Sequence, residues 1–258
     1  MDEPKFKTKQ RFYSFCKKQG FIRKRRNLYR CYGQGLLQVI QYHDNKKDST
    51  ESVRDSDVLF GIFSLYSKLP WISSQVLSRV LSYDLPVILE PKLFLIPEGE
   101  PLIYCSQALL MQEVGIPYLN EVLSHTQLKD ILEKHDLICT GKVTQNDTMK
   151  IAPYILSANW KKAIECITAI EEQNWNAYHE NSQSVLGYDQ EMQRKRIETQ
   201  LFSIISLRDA IISGDHCAVK RYLYSNYREN TIRLQELGIP VSMSCVAPEF
   251  GRLDSYVD

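Results

Sequence analysis

The sequence has no hydrophobic run long enough to cross a membrane. A transmembrane helix needs about 18 or more consecutive apolar residues, and the 258-residue chain contains no such stretch. The opening residues, MDEPKFKTKQRFYSF, carry charge from the second position and lack the continuous apolar segment of a secretory signal peptide. We therefore expect a cytoplasmic protein.

Paired cysteines and the common catalytic motifs are also missing. The 7 cysteines lie far apart in the sequence, whereas zinc ligands usually come in pairs about two to four residues apart. The chain contains no Walker-type phosphate loop, no GxGxxG fingerprint, no HExxH and no GxSxG. We therefore predict free thiols and no metal site, no cofactor and no catalytic residue. A cysteine activated by a histidine stays an alternative, because sequence distance does not determine spatial distance.

Positive charge is concentrated at the N-terminus of a chain whose formal net charge is only +1. Residues 1–54 contain 14 Lys and Arg against 5 Asp and Glu, a balance of +9. Residues 55–258 contain 18 against 26, a balance of −8. Such asymmetry within one chain indicates acidic partners.

The densest positive cluster is the run Arg23-Lys24-Arg25-Arg26. If this run is extended, its side chains alternate between two faces, so that Arg23 and Arg25 share one of them. Lys24 and Arg26 then turn towards solvent elsewhere or pair with carboxylates of the acidic remainder. We predict a binding surface that consists of Lys17, Lys18, Arg23, Arg25 and Arg30. The alternative is a solvated face whose charge is balanced within the molecule.

The N-terminal part reads as one helix followed by strands. Residues 5–19 show a helical repeat of apolar positions, and Gly20 is a typical residue to end the helix. Apolar segments at 28–32 and 36–42 flank Gly33-Gln34-Gly35, a loop typical of a β-hairpin. The apolar run DVLFGIFSLY at 57–66 predicts a third strand. The three-residue loop at 33–35 is too short for a crossover connection, so the two strands that it joins must be antiparallel.

The C-terminal part is dominated by helical periodicity. Apolar positions three and four apart predict helices at 103–114, 119–135, 149–174, 190–213 and 216–237, with a break near Asn159-Trp160. A short helix that ends at Leu81 and two proline-punctuated segments within 85–96 precede them. The predicted fold is α+β: an N-terminal helix and antiparallel sheet over 1–140, an antiparallel helical part over 141–240 packed on it, and a tail at 241–258.

Tyrosines lie close to the cations in two parts of the sequence. The first group lies near the N-terminal cations and consists of Tyr13, Tyr29, Tyr32 and Tyr42. These rings could belong to a surface that stacks nucleic-acid bases. We favour the alternative that they lie at the margins of a half-buried sheet. A second group shares the last predicted helix: Arg221, Tyr222, Tyr224, Tyr227 and Arg228. Partial burial, with the arginine heads reaching into solvent, accounts for that group.

The stretch from Phe12 to His43, FYSFCKKQGFIRKRRNLYRCYGQGLLQVIQYH, resembles an uncharacterised bacterial family, the domain of unknown function 4304. The common pattern is a helix, a KxxGFxRKxxxxYR element, a glycine-bearing turn and a strand similar to LQVIxxQ. The segments DVLFGIFSLY and VGIPYLNEVLSHTQLKDIL look like later parts of that family, so the resemblance covers roughly residues 5–140. It implies an α+β fold and no particular activity.

Three functions from different classes are compatible with these features. The first is a non-catalytic interaction protein whose basic N-terminal surface binds an acidic partner protein. The second is a nucleic-acid-binding protein that uses the same surface, although the chain's pI of about 7.6 is low for that class. The third is an enzyme of unrecognised type with a site between sheet and helices. We favour the first.

Overall fold

The computed structural model describes residues 5–24, 27–43, 57–68, 112, 115–140, 148–182 and 188–241. These residues fall into two compact units. The sheet unit comprises the described residues of Met1–Phe63, Pro70–Ile131 and Ile232–Val241. The helical unit comprises those of Ser64–Leu69 and Leu132–Thr231. The predicted domain boundary at residue 140 and the packing of one part on the other stay predictions.

Helix α1 (Lys5–Lys18) begins the sheet unit and buries one side. Phe12 and Cys16, one helical turn apart, are fully buried. The helix ends as predicted at Gly20, whose φ of 86° is a left-handed conformation that glycine adopts without steric cost. The Gly20 N–H donates to the Lys17 carbonyl and the Phe21 N–H to the Cys16 carbonyl, both at 3.0 Å. This pair of hydrogen bonds is the Schellman motif, and it turns the chain sharply into the first strand.

Four strands follow in the order in which they occur along the chain: β1 (Ile22–Lys24), β2 (Asn27–Tyr32), β3 (Leu36–His43) and β4 (Asp57–Ser64). They form the predicted antiparallel sheet. The hairpin prediction is confirmed, because Tyr32 pairs with Leu36 and Asn27 with Gln41 across the Gly33–Gly35 loop. Within the described side chains, β3 is buried on both faces from Leu36 to Ile40. The middle of the sheet is therefore covered on both sides.

The described helices that follow the sheet are α2 (Ile116–Glu121), α3 (His125–Thr140), α4 (Thr148–Leu156), α5 (Trp160–Ser182), α6 (Tyr188–Ile212) and α7 (His216–Glu236). Two predicted helices are each divided. The segment 119–135 is interrupted after Glu121, where the Gln127 side chain accepts hydrogen bonds from the backbone N–H groups of Leu123 and Ser124. The break predicted near Asn159 separates α4 from α5, and the Asn159 side chain accepts from the Lys162 N–H.

The interior of the helical unit is mainly apolar. In α6, Leu201, Ile204 and Ile211 are buried, as their spacing predicts, and Leu207 is buried as well. The spacing of apolar residues also predicts Ile212 on this side, but Ile212 is 56% exposed. Helices α5 and α6 are antiparallel, because Glu171 contacts Arg208 whereas the later residue Tyr178 contacts the earlier residue Glu198. Polar contacts between partly exposed side chains thus link the two helices beside an apolar interior.

Some predicted elements lie outside the described residues. These are the helix that ends at Leu81, the segments within 85–96, most of 103–114, and the tail beyond Val241. Among the helices that the structure describes, none combines the length and the apolar character needed to span a membrane.

Candidate functional site

The first part of the candidate site is the end of α1. Lys17 and Lys18 occupy its last turn, and both side chains are exposed. Cations in the last turn are favoured there because the free carbonyls of a helix C-terminus carry partial negative charge. Among the described residues, no carboxylate forms an ion pair with either lysine. The two charges therefore face solvent.

Arg23 brings a third cation to this place. It is the exposed middle residue of β1, and its guanidinium carbon lies 4.0 Å from the centre of the Tyr13 ring. Tyr13 is one helical turn before Lys17, so the stacked arginine lies on the same side of α1 as that lysine. We call Lys17, Lys18 and Arg23 the N-terminal basic surface.

Lys24 is half-buried, and no carboxylate of the described residues forms an ion pair with it. Its ammonium approaches Gly238 just beyond the end of α7, so closely that a Cβ at that glycine would be 2.9 Å from the Nζ atom. Gly238 has a φ of 67°, the left-handed conformation that commonly ends a helix. The last carbonyls of a helix attract a cation electrostatically. Lys24 therefore faces a helix end, and Arg25 and Arg26 lie outside the described residues.

Arg30 is a buried side chain, which corrects the prediction that it belongs to an exposed binding surface. Only 7% of its surface is accessible. Its Nε and Nη2 donate to Gln38 Oε1 at 2.9 and 2.5 Å, and its Nη1 donates to the Gln19 carbonyl at 2.7 Å. Nη2 also donates to Asn120 Oδ1 at 2.6 Å. Arg30 therefore joins the end of α1, the sheet and α2, and is not part of the N-terminal basic surface.

Aromatic rings complete the surroundings of Arg30. Its guanidinium carbon lies 4.3 Å from the centre of the Phe21 ring and 4.4 Å from that of Tyr32. Burial lowers the pKa of Arg30, an effect that Tyr32 and Cys16 partly oppose. Burial also raises the pKa of the Cys16 thiol to about 12, and the charge of Arg30 only partly offsets that rise. Cys16 is therefore a neutral, buried thiol and a poor nucleophile.

The N-terminal tyrosines are engaged inside the protein. The Arg23 guanidinium lies over the Tyr13 ring, and the Arg30 guanidinium lies over the Tyr32 ring. Tyr29 is 2% exposed, and its hydroxyl accepts a hydrogen bond from Asn27 Nδ2 at 2.8 Å. The side chain of Tyr42 lies outside the described residues. The interpretation that these tyrosines belong to the sheet therefore holds for Tyr29 and Tyr32, which lie on β2, whereas Tyr13 lies on α1.

Two carboxylates of α5 have partners within the helical unit. Glu165 forms an ion pair with Lys162 at 3.1 Å, and Glu171 binds Arg208. Burial raises the pKa of Cys31 to about 11. In the part of the chain that the structure describes, no three His, Cys, Asp or Glu side chains form a group that could hold a metal ion.

Sequence reasoning missed two residues that define the setting of Arg30. Gln38 is fully buried, and its Nε2 donates to the Leu119 carbonyl at 2.6 Å while its Oε1 accepts from Arg30. A glutamine within the apolar run LLQVI is a detectable signal, because a buried amide needs partners. Asn120 is distant in sequence, and nothing local indicates that it contacts Arg30.

Comparison with known proteins finds no family model, no curated protein and no solved structure that matches this chain. The resemblance of residues 12–43 to the uncharacterised bacterial family therefore stays a prediction.

Proposed function

We propose that this chain is a non-catalytic cytoplasmic protein that binds an acidic segment of a partner protein through its N-terminal basic surface. The observation that supports the proposal is the grouping of three exposed cations, Lys17, Lys18 and Arg23, at the junction of α1 and β1. Exposed cations of this kind raise the rate and the specificity of encounter with a complementary acidic surface.

The geometry favours an acidic protein over a nucleic acid at this surface. Single-stranded nucleic acids are bound by cations together with aromatic rings on which bases stack. Here the Arg23 guanidinium already covers one face of the Tyr13 ring, so that face is not open to a base. Tyr29 is buried, and Tyr32 carries Arg30. The surface offers charge, which suits flexible carboxylate side chains.

A defined acidic polypeptide gives the first test. We expect the full chain to bind fluorescein-labelled poly-L-glutamate in an anisotropy titration, with an affinity that falls as salt is added. The triple variant K17E/K18E/R23E should weaken binding about tenfold or more, because three favourable contacts become repulsive. The matched control K134E/K161E/K195E makes the same charge change at exposed lysines of the helical unit. It should retain most of the affinity.

Capture from a lysate of the source cells gives the second test. We expect a captured protein that survives nuclease treatment, is retained by the K134E/K161E/K195E control and is lost by the K17E/K18E/R23E variant. Circular dichroism of both variants should match that of the natural chain, because all six side chains are exposed. Equal capture by both variants, or capture that nuclease abolishes, would contradict the proposal.

A further inference from the structure

Helix α7 has one side fixed in the interior of the helical unit. Asn230 Nδ2 donates to the carbonyls of Leu65 and Ser67 at 2.8 and 2.9 Å. Asn226 Nδ2 donates to the Tyr66 carbonyl at 3.1 Å, and the Tyr227 ring stacks on that of Tyr66 with centroids 4.8 Å apart. These contacts determine which face of α7 is buried, and the opposite face is exposed.

The exposed face of α7 presents cations around a tyrosine. Lys220, Arg221 and Arg228 are exposed, and Tyr224 is 41% exposed between them. Arg221 is three positions before Tyr224 and Arg228 four positions after it, so one arginine lies about 5 Å along the helix on each side of the ring. We call these four residues the α7 basic surface.

The two arginines of the α7 basic surface are not matched by acidic side chains of the described residues. No ion pair joins Arg221 or Arg228 to a carboxylate in that part of the chain. Glu229 is exposed, but it is five positions from Tyr224 and points about 140° away around the helix. This positive face stands out because residues 55–258 carry a net charge of −8.

The Tyr224 ring is also available, in contrast to Tyr13. No aromatic or cation–π contact involves Tyr224 within the described residues. An exposed ring flanked by guanidinium groups has the composition of sites that stack a base and neutralise the phosphates next to it. Acidic peptides and lipid headgroups supply negative charge but no flat ring to stack.

We propose that the α7 basic surface binds single-stranded nucleic acid. Tyr224 stacks on one base, and Arg221 and Arg228 contact phosphates on either side of it, with Lys220 adding positive charge at the edge. The strand must be single, because in a duplex the faces of the bases are covered by their neighbours. The α7 basic surface shares no residue with the N-terminal basic surface, and the proposal does not depend on the function proposed for that surface.

The test measures binding of a fluorescein-labelled oligodeoxythymidylate of about ten nucleotides to the full chain. We expect Y224F to bind like the natural chain and Y224L to bind about tenfold more weakly, because leucine preserves apolar character without a stacking ring. R221Q/R228Q should bind about tenfold more weakly at low salt. It should also reduce the slope of log affinity against log salt by about 1.4, the value for two phosphate contacts on a single strand.

The control K161Q/K195Q removes the same charge from exposed lysines of the same unit and should leave the affinity nearly unchanged. Equal binding by Y224L and the natural chain would overturn the proposal, as would an equal loss in the control. Absence of oligonucleotide binding at low salt would also overturn it. So would preferential binding of poly-L-glutamate or of phosphatidylserine vesicles that R221Q/R228Q abolishes, because the α7 basic surface would then recognise an acidic peptide or a membrane.

Discussion

Exposed arginines lie near a tyrosine in both units, but the tyrosine ring is covered in one unit and available in the other. In the sheet unit, Arg23 covers the Tyr13 ring at 4.0 Å, so the charge stays exposed while the flat ring is occupied. In the helical unit, Tyr224 is 41% exposed between Arg221 and Arg228, and no described residue stacks on it. A surface that has only charge suits flexible carboxylates, whereas charge beside an available ring suits stacked bases.

The two units also surround an arginine with different partners. The sheet unit buries Arg30 among the amides of Gln38 and Asn120 and two aromatic rings. In the helical unit, Arg208 instead forms an ion pair with the carboxylate of Glu171. Neutral acceptors and aromatic rings thus surround Arg30, which lies in a segment, residues 1–54, that contains only 5 Asp and Glu. Contacts of this kind hold an arginine without cancelling its charge.

The largest effect is expected for Arg30→Met in the sheet unit. The substitution leaves Gln38 Oε1 and Asn120 Oδ1 without these donors, and each unsatisfied acceptor costs about 1–3 kcal/mol. We expect urea unfolding to show a loss of about 2–6 kcal/mol in the free energy of unfolding. Arg23→Met is the control and should cost within about 1 kcal/mol, because its stacked pair is exposed. Equal losses would show that burial does not distinguish the two arginines.

The corresponding test of the apolar interior is Leu201→Ala in α6. Leu201 is 3% exposed, and truncation of a buried leucine costs about 2–5 kcal/mol. The next residue, Phe202, is 80% exposed, so Phe202→Ala should change the free energy of unfolding by only about 0.5 kcal/mol. Melting temperatures of the two variants compare adjacent positions that differ in burial. A larger loss for Phe202→Ala would reverse the assignment of these faces.

A smaller effect is expected at two glycines with similar backbone angles. Gly33 and Gly214 have φ of 62° and 72°, so alanine at either position costs about 1 kcal/mol for its left-handed conformation. A Cβ at Gly33 would also lie 2.4 Å from the Leu123 carbonyl oxygen, whereas one at Gly214 meets nothing within 4 Å. We therefore expect Gly33→Ala to be about 1–3 kcal/mol more destabilising than Gly214→Ala in denaturant unfolding. Equal losses would argue against the packing of the hairpin loop against Leu123.

The smallest change in stability at neutral pH is expected for the substitution of His125, the first residue of α3. Burial lowers its pKa to about 4, so the folded protein holds this histidine neutral while the unfolded chain protonates it near pH 6.5. The stability that His125 contributes is therefore present above about pH 6.5 and is lost as the pH falls towards 4. His125→Gln should flatten the dependence of the free energy of unfolding on pH within that window. An unchanged slope would show that His125 does not titrate differently in the folded protein.

The sequence predicted features of the fold that depend on neighbouring residues. The loop Gly33-Gln34-Gly35 specified the β2–β3 pairing, and Gly20 specified the end of α1. The helical repeat located α6 to within two residues at each end, at Tyr188–Ile212 for a predicted 190–213. These features follow from backbone preferences and local periodicity.

The parts that sequence reasoning did not predict depend on residues distant in the chain. The burial of Arg30 requires Asn120, and the place of Lys24 requires Gly238. Neither partner carries a local signal that points to the N-terminus. The exposed ring of Tyr224 depends in turn on the hydrogen bonds of Asn226 and Asn230 to the segment after β4, which orient α7. Long-range contacts of this kind appear only in the folded structure.

The most direct test of the difference between the two surfaces measures two probes against two variants. Poly-L-glutamate and the single-stranded oligodeoxythymidylate are each titrated into the natural chain, K17E/K18E/R23E and R221Q/R228Q at the same salt concentration. We expect the N-terminal variant to lose about tenfold in affinity for polyglutamate and to keep its affinity for the oligonucleotide. The α7 variant should lose about tenfold in affinity for the oligonucleotide and keep its affinity for polyglutamate. Loss of both probes by the same variant, with the other variant unaffected, would contradict a division of roles between the two surfaces.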